Sequence, residues 1–145
     1  MSEGIKTISV PGVYVTPPNS HVRVTNYPES ATSVTPIQIV TLNRPDKLNA
    51  ITVEMINDLE AFFSTVDVDD RVKVIILTGA GRAFSAGIDL HLDASQDKNL
   101  PIRDLRDPGG TLALAMFNCS KTIIVAYNGL SVGIGMTSTL AAAVR

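Results

Sequence analysis

Apolar residues along this chain recur in two rhythms. His21 to Tyr27 alternate apolar and polar positions, which predicts a strand, and Ile37 to Leu42 predict the next one. Met55, Ile56, Leu59, Phe62 and Phe63 then fall three and four apart, the spacing of a single buried helix stripe. Thr52 reads as the cap of that helix and Thr65 as its approximate end, with Glu54 in the first turn where an acid suits the helix dipole. Val72 to Leu77 are β-branched, short and followed closely by glycine, the pattern of a buried strand. A strand of the same design is predicted over Lys121 to Gly129, and Leu130 to Met136 then open a small-residue helix. Asp107-Pro108 has the cap-then-proline pattern of a helix start, with Leu112 to Phe117 as its buried part. Strands alternating with helices predict an α/β fold. Residues 1–20 carry Pro11, Pro17 and Pro18 and read as an irregular leader, followed by a single domain over residues 21–145.

The chemistry lies where strands meet glycines. Gly79, Gly81 and Gly87 follow the strand at 72–77, and Asp89 comes next at an expected helix start. A strand, a glycine-rich turn and a helix N-terminus leave backbone N–H groups unpaired. Such groups can hold a phosphate or the oxyanion that develops on a reacting carbonyl. The phosphate motifs themselves are absent, since no Gly-x-x-x-x-Gly-Lys-Ser/Thr occurs and Gly-x-Gly-x-x-Gly fails at Phe84. Asn128-Gly129 leads into a second corner, through Gly133 and Gly135. Two such corners could each aim one N–H at a single oxygen.

Arg44 to Ala50, Thr78 to Leu90 and Asn128 to Gly135 occur in the order and spacing of the crotonase family, which the chain resembles from about Ile37 to its last residue. That family comprises enoyl-CoA hydratases and isomerases. The resemblance implies the N-terminal portion of a crotonase-like ββα spiral, truncated before the C-terminal helices. It also implies an acyl-CoA substrate, with coenzyme A entering as part of that substrate and no separate cofactor. Carried over by motif, the Ile88 and Ile134 N–H groups would stabilise a thioester enolate. Ala86, Gly87, Ile88, Asp89, Leu90, Gly133, Ile134 and Lys47 would contact the substrate, with Leu92 and Met116 as further pocket candidates. Where the family's hydratases place a glutamate after the second corner, this chain has Thr137, which resembles the isomerase branch instead. The isomerases rely on a later acid, which here would fall beyond Arg145. Family members form trimers or hexamers through a C-terminal part that these residues do not include. An inactive acyl-CoA-binding remnant or partner subunit is the alternative, and a fragment with exposed helix faces is the third reading.

Composition removes other classes. Lys+Arg 12 against Asp+Glu 14 gives a net charge of −2 without a basic block, which argues against nucleic acid. No run reaches the roughly 18 apolar residues of a membrane span. Cys119 is the single cysteine, expected as a buried small residue in a reducing compartment. A soluble intracellular protein is expected, peroxisomal or cytoplasmic, although the final Ala-Val-Arg is no Ser-Lys-Leu-type signal. Asp67, Asp69 and Asp70 lack calcium-loop spacing and read as a solvated turn. His91 reads as a rim residue, His21 as a strand residue, and Arg103, Asp104, Arg106 and Asp107 as a solvated face. Gly129-Leu130-Ser131-Val132-Gly133 matches the nucleophile elbow Gly-x-Ser-x-Gly, but that fold needs an acid and a histidine after the serine and neither follows.

Overall fold

The computed structural model describes residues 9–90 and 108–144. Alternation produces strands as expected: β1 (Val22–Tyr27) pairs antiparallel with β2 (Ile37–Leu42). Helix α1 (Val53–Asp67) carries the chain across to β3 (Val74–Gly79), which runs parallel to β2. A short strand β4 (Ala83–Ser85) follows, and α2 (Pro108–Asn118) leads to β5 (Thr122–Ala126), parallel to β3. The main sheet therefore has the order β1-β2-β3-β5. Strand β6 (Leu130–Ser131) pairs with β4 in a separate two-stranded sheet, and α3 (Ile134–Thr137) runs into a 3-10 turn over Ser138–Ala141.

Register explains where the core sits. Val24, Val40, Leu77 and Val125 lie opposite one another across the four strands, and all four are buried. The α1 stripe Met55, Ile56, Leu59, Phe62 and Phe63 is buried as the spacing requires, with Val66 added to it, and joins the same core. Thr52 caps α1 by accepting the Met55 N–H at 3.2 Å. Leu112 and Met116 bring α2 onto this core.

The structure corrects several expectations. β3 begins at Val74 rather than Val72, because the N–H groups of Lys73 and Val74 both donate to Pro36 O before the ladder starts. Leu130 and Ser131 are strand rather than helix, since they pair with β4, and the helix waits until Ile134. Within the first motif, Pro45–Lys47 form a 3-10 helix. Phe117 is 73% exposed rather than part of the buried face of α2. Cys119 is only half-buried. His91, Leu92, the polar loop after them, Arg103, Asp104, Arg106 and Asp107, residues 1–8 and Arg145 lie outside the described residues. No helix among the described residues is long and apolar enough to cross a membrane.

Asp69 is the largest departure. It is 3% exposed, bonded to Arg71 at 2.7 Å and accepting the Tyr14 hydroxyl at 2.9 Å, so it is a buried structural carboxylate. Arg71 in turn donates to Pro11 O, and the Tyr14 ring packs edge-on against Phe62. The irregular segment before β1 is thereby fastened to α1 and its following loop.

Arg71 holds the Asp69 carboxyl far below the usual carboxylate range, against the opposing effect of burial. Burial, then the bond to Asp69, pushes the Tyr14 hydroxyl well above its ordinary value. Asp69 therefore contributes stability that is present above its ordinary 3.8 and lost as pH falls below it. Tyr14 contributes stability that is present below its ordinary 10.0 and lost as pH rises beyond it. Tyr14→Phe should cost about 1 kcal/mol at neutral pH. It should also flatten the alkaline loss in chemical denaturation curves; an unchanged alkaline limb would contradict this assignment.

Candidate functional site

Two asparagines and a serine build the first corner. Asn49 is fully buried at φ 56, a left-handed conformation that asparagine tolerates better than most residues. Its side chain donates to Ala80 O at 2.9 Å and Ala83 O at 2.8 Å, and accepts the Arg44 N–H at 2.8 Å. Asn128 grips the same turn from the other side, accepting the Gly79 N–H and donating to Gly81 O. The glycine turn at 79–83 is thus clamped by side chains from two distant loops.

Ser85 joins that corner to the second one. Its Oγ donates to Asn49 O at 2.9 Å and accepts the Gly87 N–H at 3.1 Å. Its carbonyl accepts the Val132 N–H at 3.0 Å, just past the β4–β6 pairing of Ser85 with Ser131. Gly135 lies so close that a Cβ there would sit 2.7 Å from Ser85 Cβ. The corners consequently touch: a Cβ on Gly87 would meet Val132 O at 3.0 Å and lie 4.0 Å from Gly133 Cα. Gly133 has φ 52 and ψ −126, a combination essentially confined to glycine.

These bonds leave particular N–H groups over. Gly87 N–H is taken by Ser85, and Asp89 N–H donates to Ile51 O at 2.9 Å. Between them, the Ile88 N–H has no partner among the described residues. Ile134 is the first residue of α3, where an N–H has no intrahelical acceptor, and it too has no partner among the described residues. The structure places one unengaged N–H on each of two adjoining corners.

The other candidate residues divide. Ile88 is 39% exposed and Leu90 93% exposed, while Ile134 packs partly against the core. Ala86 is half-buried with its N–H on Leu48 O, and Lys47 is exposed on the 3-10 helix. Asp89 does not begin a helix within the described residues; its carboxylate pairs with Arg44 at 2.9 Å, both side chains being 15% exposed. Met116 is core and borders a void of about 10 Å³ with Phe84, Leu112 and Thr139, too small for an acyl group. Thr137 is exposed, with its N–H on Gly133 O. Burial pushes the Cys119 thiol up, which disfavours a nucleophilic thiolate. No group of three or more His, Cys, Asp or Glu side chains converges among the described residues. Arg44, Asn49, Ser85 and Asn128 were given no roles on sequence grounds. Asparagine directly before a glycine is a signal for Asn128 alone; Asn49 and Ser85 offered none.

The family model for enoyl-CoA hydratase/isomerase matches residues 37–145. An enoyl-CoA hydratase of Alternaria alternata is 40% identical over 114 residues, covering 75% of this chain and 36% of that protein. A 1,2-epoxyphenylacetyl-CoA isomerase of Escherichia coli is 36% identical over 108 residues, covering 72% of this chain and 41% of that protein. Among solved structures, an enoyl-CoA hydratase/isomerase from Mycobacterium paratuberculosis superposes with a TM-score of 0.68 at 30% identity, over 86% of this chain and 48% of that one. The chain thus spans well under half the length of those two sequence relatives.

The packing around Ser85 makes two substitutions informative. Gly135→Ala should cost about 1–3 kcal/mol, because the added methyl cannot fit against Ser85. Ser85→Ala should cost about 1–3 kcal/mol by leaving the buried Gly87 N–H without its acceptor. Urea denaturation checks both, and a neutral Ser85→Ala would show that the hydroxyl does not hold the corners.

Proposed function

The chain belongs to the enoyl-CoA hydratase/isomerase family, and from that premise we propose that it binds acyl-CoA thioesters and stabilises their enolates. The Ile88 and Ile134 N–H groups are the assigned oxyanion donors. The observation that carries this reading is that both are left unengaged on corners held against each other through Ser85. Backbone donors suit the task because their direction is set by the fold, so they need no reorganisation as charge develops. Coenzyme A enters with the substrate, and no separate cofactor is assigned.

Double-bond migration is favoured over hydration. A base removes a proton from the carbon α to the thioester of a 3-enoyl-CoA, and the electron pair moves onto the thioester oxygen. Returning the proton at the γ carbon then gives the 2-enoyl-CoA. Water addition by the glutamate pair that the resemblance implies would need an acid at Thr137, and threonine does not exchange protons near neutral pH. The acid–base group is assigned to none of the described residues around the two corners. An acyl-CoA-binding protein or partner subunit without turnover is the second reading, favoured by that same threonine. The lone cysteine fits a reducing interior, peroxisomal or cytoplasmic.

Ile134→Pro tests the donor directly. Proline is tolerated at the first position of a helix and removes the N–H there, together with part of the Ile134 packing on the core. Turnover of a 3-enoyl-CoA should fall about 10²–10³-fold, while Ile134→Val should retain it. If the wild-type protein binds but does not turn over, loss of acetoacetyl-CoA binding in Ile134→Pro becomes the readout. Equal behaviour of the proline and valine variants would remove Ile134 from the site. Hydration of a 2-enoyl-CoA should be little or absent, and robust hydration would overturn the argument from Thr137.

A further inference from the structure

Tyr127 stands between the two corners and touches both. It follows β5 directly, and its ring meets that of Phe84 edge-on with centroids 4.8 Å apart. Phe84 is buried in β4 one residue before Ser85, so the tyrosine ring rests on the first corner. The Tyr127 hydroxyl is hydrogen-bonded to Thr139 Oγ1, in the 3-10 turn that continues α3 out of the second corner.

The direction of that bond follows from the protons available. A threonine hydroxyl carries one proton. Thr139 spends it on Met136 O at 2.7 Å, so Tyr127 is the donor and Thr139 the acceptor. Thr139 is 1% exposed, and the relay from the tyrosine therefore ends inside α3 with little competition from water.

Helix α3 has only four residues, Ile134–Thr137. Its own bonds, from the Met136 and Thr137 N–H groups to Gly133 O and from Ser138 Oγ to Ile134 O, lie within the turn itself. Being internal, they do not set how the turn tilts against β4 and β5. Helical N–H groups point along the helix axis, so that tilt decides where the Ile134 N–H aims.

We propose that Tyr127 is a positioning residue for the oxyanion site: acting through Thr139, it fixes the tilt of α3 and with it the direction of the Ile134 N–H. This rests on the enolate reading above. The phenol exchanges no proton in this role.

Acetoacetyl-CoA bound to the protein at fixed pH supplies the measurement, read as the enolate-to-keto ratio from its absorption, with thermal melting recorded for each variant. Tyr127→Phe keeps the ring on Phe84 and removes only the hydroxyl. A misplacement of about 1 Å can cost about 10²-fold in a reacting site, and Tyr127→Phe should lower the ratio about tenfold. Thr139→Val removes the acceptor and should lower the ratio at least as far, whereas Thr139→Ser keeps a hydroxyl and should retain the wild-type ratio. Adding Tyr127→Phe to Thr139→Val should change nothing more, because the bond is already cut. A Tyr127→Phe variant that melts lower but keeps the wild-type ratio would make the tyrosine a structural prop and overturn the proposal. A further fall in the double variant would overturn it too. If Tyr127→Phe fails to fold, the two Thr139 variants decide: a wild-type ratio in Thr139→Val, or equal losses in both, would overturn it as well. A wild-type protein that binds the ligand without forming enolate would defeat the oxyanion reading itself, and this inference with it.

Discussion

The hydroxyl and carbonyl of Ser85 are the constraint on which the arrangement of both corners depends. Oγ bonds Asn49 O and Gly87 N–H, and the carbonyl bonds Val132 N–H, so one buried residue ties its own turn to two distant segments. Buried polar atoms are costly unless satisfied, and here satisfaction is achieved only when both distant segments are in place on that turn. The bond to Gly87 also selects which N–H remains available. Of three consecutive amides, the first is consumed by Ser85 and the third by Ile51, and the middle one is left over.

The elements were legible where the physics is local. The bounds of β2 and the buried stripe of α1 follow from periodicity over a few residues, and Thr52 caps where a threonine before such a stripe should. Leu130 and Ser131 were misread because a two-residue strand has no periodicity of its own; it exists only because Ala83 and Ser85 lie beside it. Asp69 was misread for a similar reason. Three aspartates in a short stretch look solvated until Tyr14, 55 residues earlier, is found donating to one of them.

The site was legible in its glycines and not in its fastenings. Gly87 and Gly133 do occupy conformations unsuited to other residues, and the strand-to-turn pattern pointed at both corners. What could not be read is that the corners share Ser85, a contact between residues 36 to 50 positions apart in bonds no motif spacing encodes. Arg44 and Asp89 likewise read as the first residue of a motif and a helix start, and are ion-paired across 45 positions.

This division has a consequence for how the family's chemistry can vary. On the proposed reading the donors come from the backbone, while the side chains of Asn49, Asn128, Ser85 and the Arg44–Asp89 pair hold that backbone in place. None of these groups need exchange a proton during the proposed reaction. A proton-transfer group, by contrast, must be a side chain of suitable pKa placed against the substrate carbon. In the proposed reaction enolate stabilisation and proton transfer are therefore separable, and on that proposal a change at Thr137 leaves the two N–H groups in place. Thr137 is exposed and spends only its backbone N–H on the corner, so its side chain is not part of those fastenings.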